Sequence, residues 1–231
     1  IVAEALDEMS DILESKLADG ADLEMAVAAV VRETVHESKD ILFGGDNYTD
    51  EWHEEAERRG LLNLKTTVDA LETLVSEKNI KLFETYGVLS EAELRSREDI
   101  WVEQYFLSIN IEAETTEHMA RTMVMPAATR YLDSLVDTIQ KGKKAGVSTK
   151  GVKLVADHAA AYVDELQVAL GELIDQNKEL GGDSVHEKAH HMLDNVIPAM
   201  MKVRHATDRL ERITAGDLWP LPTYRDILSV K

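Results

Sequence analysis

The run His186-Glu187-Lys188-Ala189-His190 is the first place where this sequence could do chemistry. Two imidazoles four residues apart share one helical face, which suits zinc, and the glutamate between them suits a general base toward a metal-bound water. Glu211, about one helical span downstream, is a conceivable third ligand. The surroundings favour a plainer reading. Ser184-Val185-His186-Glu187 has the S-x-x-E form of a capping box, so Glu187 already has work to do at a helix start that follows Gly181-Gly182. His191 and Asp194 keep this end polar, and no strand is available to align a peptide. We expect a solvated, histidine-rich helix start, with His186, Glu187 and His190 kept as an alternative metal site.

Other arrangements are thinner. A di-metal carboxylate bundle needs two E-x-x-H pairs on different helices. Glu187 to His190 is one, but Glu112, Glu114, Glu117 and His118 contain no second pair at that spacing. Glu114 and His118, four apart, read as a solvated face. His158, in Ala156-Asp157-His158-Ala159-Ala160, could accept a phosphoryl group, although a lone histidine beside small residues more often packs or faces water. The sequence has no phosphate-binding glycine loop, no dinucleotide fingerprint and no nucleophile elbow. Trp101, Tyr105, Met119, Met123 and Met125 read as core and not as a cofactor box. The expected catalytic, cofactor-binding and metal residues are therefore none.

The elements that would position these residues are helical throughout. Apolar residues recur at helical spacing, and no stretch alternates with period two between turn residues, so the expected class is all-α. A first helix runs from Ile1 to about Leu17, with Val2, Leu6, Met9, Ile12 and Leu17 on one stripe. A second runs from about Leu23 to Val35, and its apolar run Ala26 to Val31 is wide enough to be buried on most sides. Asp40 to Tyr48 is the least helical stretch, where Gly44-Gly45-Asp46-Asn47 permits positive φ and reads as a structured turn. Thr49 can cap a short helix ending at Gly60, and two more short helices follow, about Val68 to Val75 and about Glu77 to Tyr86. Ser90-Glu91-Ala92-Glu93 is another capping box and opens a very long helix that Pro126 should kink. A helix from about Lys150 to Leu180 comes next, then a last long one from Ser184, kinked near Pro198 and ending at Gly216. Three long helices joined by short glycine-containing loops should pack as an antiparallel bundle. Asp217 to Tyr224 holds two of the four prolines, and Trp219, Leu221 and Tyr224 should dock this tail on the bundle.

Composition bounds the partners. With 44 acidic and 25 basic residues in 231, the net charge is −19, which opposes nonspecific binding to phosphate backbones or anionic lipid. No nucleic acid and no membrane are expected as partners. Hydrophobic residues make up 44%, so the charge sits on a folded chain and not on a disordered tail. There is no cysteine, hence no disulfide, thiolate or cysteine zinc site, which fits a cytoplasmic setting. The opening Ile1-Val2-Ala3-Glu4-Ala5-Leu6 reads as helix interior without a cap, as in a piece of a longer protein.

One family resemblance runs through the chain. Ile41-Leu42-Phe43-Gly44-Gly45-Asp46-Asn47-Tyr48-Thr49-Asp50-Glu51-Trp52 and Glu57-Arg58-Arg59-Gly60-Leu61-Leu62-Asn63-Leu64-Lys65-Thr66-Thr67 resemble the C-terminal region of type III glutamine synthetases. The likeness continues through Leu89 to Leu94, Glu103-Gln104-Tyr105, Ile109 to Ala113, Met125-Pro126-Ala127 with Arg130-Tyr131, Asn195 to Met200, and Leu218 to Arg225. Each block is weak alone, and their order is specific. The glycine turn departs from the family's usual spacing, and Val68 and Glu72 stand where the family often has proline.

The resemblance implies an enzyme that joins ammonia to glutamate using ATP and Mg2+ or Mn2+, cytoplasmic and assembled as a homo-oligomer. It implies that the metal, nucleotide and glutamate ligands lie on a catalytic barrel before Ile1, so none falls on these residues and the piece is catalytically silent alone. Its partners would be that barrel and neighbouring subunits. The expected organisation is a single C-terminal helical domain over residues 1–231. Within it, 1–39 lead out of the barrel, 40–89 form a short-helix region, 90–216 form the long-helix bundle, and 217–231 form the docked tail.

Overall fold

The computed structural model describes residues 1–229, without the side chains of Tyr224 and Arg225. Among the described residues every regular element is helical. The chain divides into two compact units, Ile1–Glu98 and Asp99–Lys231.

In the first unit, α1 (Val2–Ala18) and α2 (Leu23–Glu37) pack together, and Lys16 of α1 donates to Glu33 of α2 at 2.8 Å. Asp22 caps α2 by accepting from the Glu24 amide. The apolar stripe of α1 buries no residue, and α2 buries only Ala26 and Val30. The expected burial of Ala26 to Val31 on most sides is therefore corrected: Val27 and Val31 are exposed, because only the face carrying Ala26 and Val30, one turn apart, is covered. A 3-10 turn at Ser38–Ile41 leads to the glycine loop, followed by α3 (Asp50–Arg58), α4 (Thr67–Leu74) and α5 (Glu77–Thr85). Gly60 and Gly87 take positive φ and close α3 and α5. Thr66 caps α4 by accepting from the Asp69 amide.

Helix α6 (Glu91–Met119) starts in the first unit at the capping box: Ser90 donates its amide to Glu93 at 2.9 Å, and Glu93 returns its amide to the Ser90 hydroxyl. The second unit holds the rest of α6, α7 (Met125–Ala145), α8 (Lys150–Glu179), α9 (Val185–His191), α10 (Ile197–Ile213) and α11 (Tyr224–Leu228). Its core joins Ala113, Val124, Leu166, Leu170, Leu173, Met192, Val196, Val203 and Leu210. Small residues at Ala120, Ala128, Ala169, Ala199 and Ala206 let the helices come close. Two surface pairs, Lys202 with Glu172 and Arg209 with Glu165, fix α8 and α10 running in opposite directions, since the partner number falls as the other rises.

Three sequence expectations change here, and the two helix prolines gain detail. Where kinks were expected at Pro126 and Pro198, the helices carry wide π turns, Ala120–Val124 and Met192–Val196, each ending two residues before its proline. There the Met125 amide reaches back to Ala120 and the Ile197 amide to Met192, five residues away. A proline ring collides with the carbonyl four residues earlier in an α-helix, and a widened turn moves that carbonyl aside. Trp101 is exposed and is not core, since its neighbour Val102 takes the inward position about 100° away on the helix. The last long helix stops at Ile213, where Thr214 turns extended, and not at Gly216. Gly44 and Gly45 do not use positive φ. In the tail, Trp219 joins the second unit's core and Leu221 packs against it. The side chain of Tyr224, the third expected anchor, lies outside the described residues.

Candidate functional site

The densest polar arrangement within one unit is built on α3 and the loop before it. Glu55 and Arg59, four apart, share a helical face, and the Arg59 Nε donates to Glu55 at 2.6 Å. Arg58 adds a two-pronged contact to the same carboxylate at 2.6 and 2.5 Å. These two guanidiniums, Arg58 foremost, hold the Glu55 carboxyl down to about 2. Arg59 is then free to aim its other nitrogen at the loop, donating to the carbonyls of Asp40 at 3.0 Å and Leu42 at 2.8 Å. Its guanidinium also lies 5.6 Å from the Trp52 ring centre, and Phe43 covers Trp52 at 4.7 Å.

The loop 42–49 is thus tied from both sides. Asp46 accepts from the Tyr48 amide at 2.9 Å, and the Thr49 hydroxyl donates to the Asp46 carbonyl at 2.8 Å. Thr49 sits at the N-cap of α3 as expected, but its hydroxyl serves the loop and not the helix. At Gly45 the constraint is spatial and not conformational: a Cβ there would come within 2.7 Å of the Phe43 ring, which would have to shift. This geometry can hold a surface loop in one shape, with Tyr48 almost wholly exposed. It offers no nucleophile and base pair. Sequence reasoning quoted Arg58 and Arg59 only as part of a block; the Glu55/Arg59 i, i+4 spacing was the missed signal.

The histidine-rich stretch folds as a helix start. Ser184 donates its amide at 3.0 Å and its hydroxyl at 2.8 Å to the Glu187 carboxylate, bonds that keep that carboxyl below its ordinary range, and the Ser184 hydroxyl accepts from the Glu187 amide at 3.2 Å. His186 and His190 are half-buried on α9. Among the described residues, no three of His186, Glu187, His190 and Glu211 bring ligand atoms within 4.8 Å of one another, whereas His186 does so with Asp99 of α6. The histidine with a defined partner set is His191, read from sequence only as keeping this end polar. Its Nε2 lies 2.7 Å from the Gln176 carbonyl at the end of α8, and Asn195 lies 3.2 Å from its Nδ1. A carbonyl only accepts, so Nε2 carries the proton and Nδ1 receives the Asn195 amide. Gly181 packs on this ring: a Cβ on it would fall 2.1 Å from the His191 Cβ.

The remaining candidates are scattered. Glu117 pairs with Arg121, and Glu114 accepts from Asn110 at 3.3 Å. His158 is exposed and stacks toward Tyr162 at 6.3 Å, while neighbouring Asp157 pairs with Lys153. Among the described residues, no helix is long and apolar enough to cross a membrane.

Comparison with known proteins complements this geometry. The family described as glutamine synthetase C-terminal domain matches residues 26–143. The chain is 33% identical over 210 residues to the type-3 glutamine synthetase of Dictyostelium discoideum, covering 87% of this chain and 28% of that protein. It is 32% identical over 215 residues to a glutamine synthetase of Butyrivibrio fibrisolvens, covering 90% of this chain and 30% of that one. A glutamine synthetase of Bacteroides fragilis (strain YCH46) is 25% identical across all of this chain and 32% of its own length. The chain therefore spans less than a third of these relatives. With the domain match covering just over half of its residues and including the whole Asp40 to Arg59 clasp, this chain belongs to the glutamine synthetase C-terminal domain family.

Proposed function

We propose that this chain is the C-terminal structural and assembly domain of a type III glutamine synthetase, and that its two units act together as that one domain. The parent enzyme would ligate ammonia to glutamate at the expense of ATP, with Mg2+ or Mn2+ in a catalytic barrel, in the cytoplasm and as a homo-oligomer. None of the catalytic, nucleotide-binding or metal-binding residues would come from these 231 positions. The observation that carries the reading is similarity to glutamine synthetases along nearly the whole chain.

The uncovered face of α1 and α2 supports it. Val2, Leu6, Met25, Val31 and Val35 are exposed on the two packed helices, apolar surface of the kind a partner covers. The catalytic portion of the enzyme is the partner this face would take. The clasp around Glu55 and Arg59 would then hold the glycine loop in shape against a neighbouring part of the assembly. A metal site at His186, Glu187 and His190 is the weaker reading, because Glu187 is engaged in the capping box.

A chimera tests the proposal. The matching segment of the Butyrivibrio fibrisolvens enzyme is replaced by this chain, and glutamine formation is measured with ATP, glutamate, ammonia and Mg2+. The chimera is expected to regain activity that the enzyme lacking this segment has lost. A chimera no more active than the truncated enzyme would sink the reading.

A further inference from the structure

Helix α6 is apolar on two opposite faces. Counting about 100° per residue, Val102, Phe106, Ile109 and Ala113 lie on one side and pack into the second unit's core or, for Val102, are buried. Ile100, Leu107 and Ile111 lie on the opposite side, 48%, 47% and 60% exposed. With Gln104 they follow the spacing 4, 3, 4 that makes a seam between two helices. A surface helix that only covered its own core would be polar there.

We propose that this outer face of α6 pairs with the same face of a second copy of the chain, antiparallel across a twofold axis. The pattern is complementary to itself in that arrangement. Centred between Gln104 and Leu107, Ile100 meets Ile111 of the other copy and Gln104 meets Leu107, with the two numbers in each pair summing to the same value. The same centre sets Arg97 against Glu114 of the other copy, twice by symmetry. Arg97 and Glu114 are both exposed. A parallel pairing would instead oppose Arg97 to Arg97 and Glu114 to Glu114. The pairing rests on α6 itself, independently of the ligase reading.

The seam from Arg97 to Glu114 is 18 residues, about 27 Å, so the association belongs at the weak end of specific interfaces. Sedimentation of the 231-residue chain from about 10 μM to about 1 mM should show a monomer–dimer equilibrium. Leu107→Glu should abolish dimerisation. Arg97→Glu and Glu114→Arg should each weaken it by about tenfold or more, since each turns two attractive pairs into two repulsive ones. The double change Arg97→Glu with Glu114→Arg should restore it. Because the chain has no cysteine, Ile100→Cys chains mixed with Ile111→Cys chains should cross-link to each other in preference to themselves. Helical circular dichroism confirms that each variant is folded. A chain monomeric over the whole range overturns the proposal and leaves the face to another partner. Dimers indifferent to the charge swaps, or Ile100→Cys chains that cross-link mainly among themselves, overturn it too.

Discussion

Glu55 shows how much one carboxylate can organise: two arginines bind it, and one of them reaches on to the carbonyls of Asp40 and Leu42. Its carboxyl falls from the ordinary 4.5 to about 2, so the fold holds it more firmly charged than the unfolded chain does. The resulting stabilisation is present above pH 4.5 and is lost as pH falls toward 2. The indole signal of Trp52 in a proton NMR titration should therefore stay constant down to about pH 4 and shift only below it. Arg59→Ala should release the loop at neutral pH and lower stability by about 2 kcal/mol, read by hydrogen exchange at residues 42–49. A second residue-scale contrast concerns glycine. Gly181 has φ +79° and no room for a Cβ beside His191, whereas Gly171 sits in α8 with nothing within 4 Å. Gly181→Ala should cost about 3 kcal/mol, and Gly171→Ala should add about 1 kcal/mol, in urea unfolding.

At the scale of elements, helix starts were legible because capping is local: Ser90 with Glu93 and Ser184 with Glu187 form the bonds their spacing implies. That the helices would answer Pro126 and Pro198 with a widened turn was not legible, because an interior proline can be met by several local rearrangements. Here packing decides. Ala120, Val124, Met192 and Val196 are buried within the π turns, and losing that register would cost more than the roughly 3 kcal/mol an ordinary helical turn would regain once proline is gone. Pro126→Ala should therefore keep the wide turn and shift the melting temperature by only a few degrees. The tail is the opposite case, one large anchor on a short segment. Truncation before Leu218 removes Trp219, which is only 9% exposed, and should lower stability by about 3 kcal/mol. An unchanged melting curve would show that the tail adds nothing.

For the whole molecule, the charge of −19 predicts no retention on heparin or DNA at about 0.1 M salt. The assembly-domain reading predicts no glutamine formation by this chain alone, and measurable turnover would overturn it. The sequence by itself determined the helical class, most helix boundaries, the capping boxes at Ser90 and Ser184 though not the one at Thr223, and the family, because each depends on periodicity, on local hydrogen bonds or on residue order. Only the tertiary structure decided which apolar residues are inside. Ile100 and Val102, or Val27 and Val30, are equally hydrophobic on paper, and burial depends on which side of a helix another element occupies. The same holds for polar groups. Arg59 and His191 became the anchors of two loops because distant carbonyls, those of Leu42 and Gln176, come within hydrogen-bond reach only after the chain has folded.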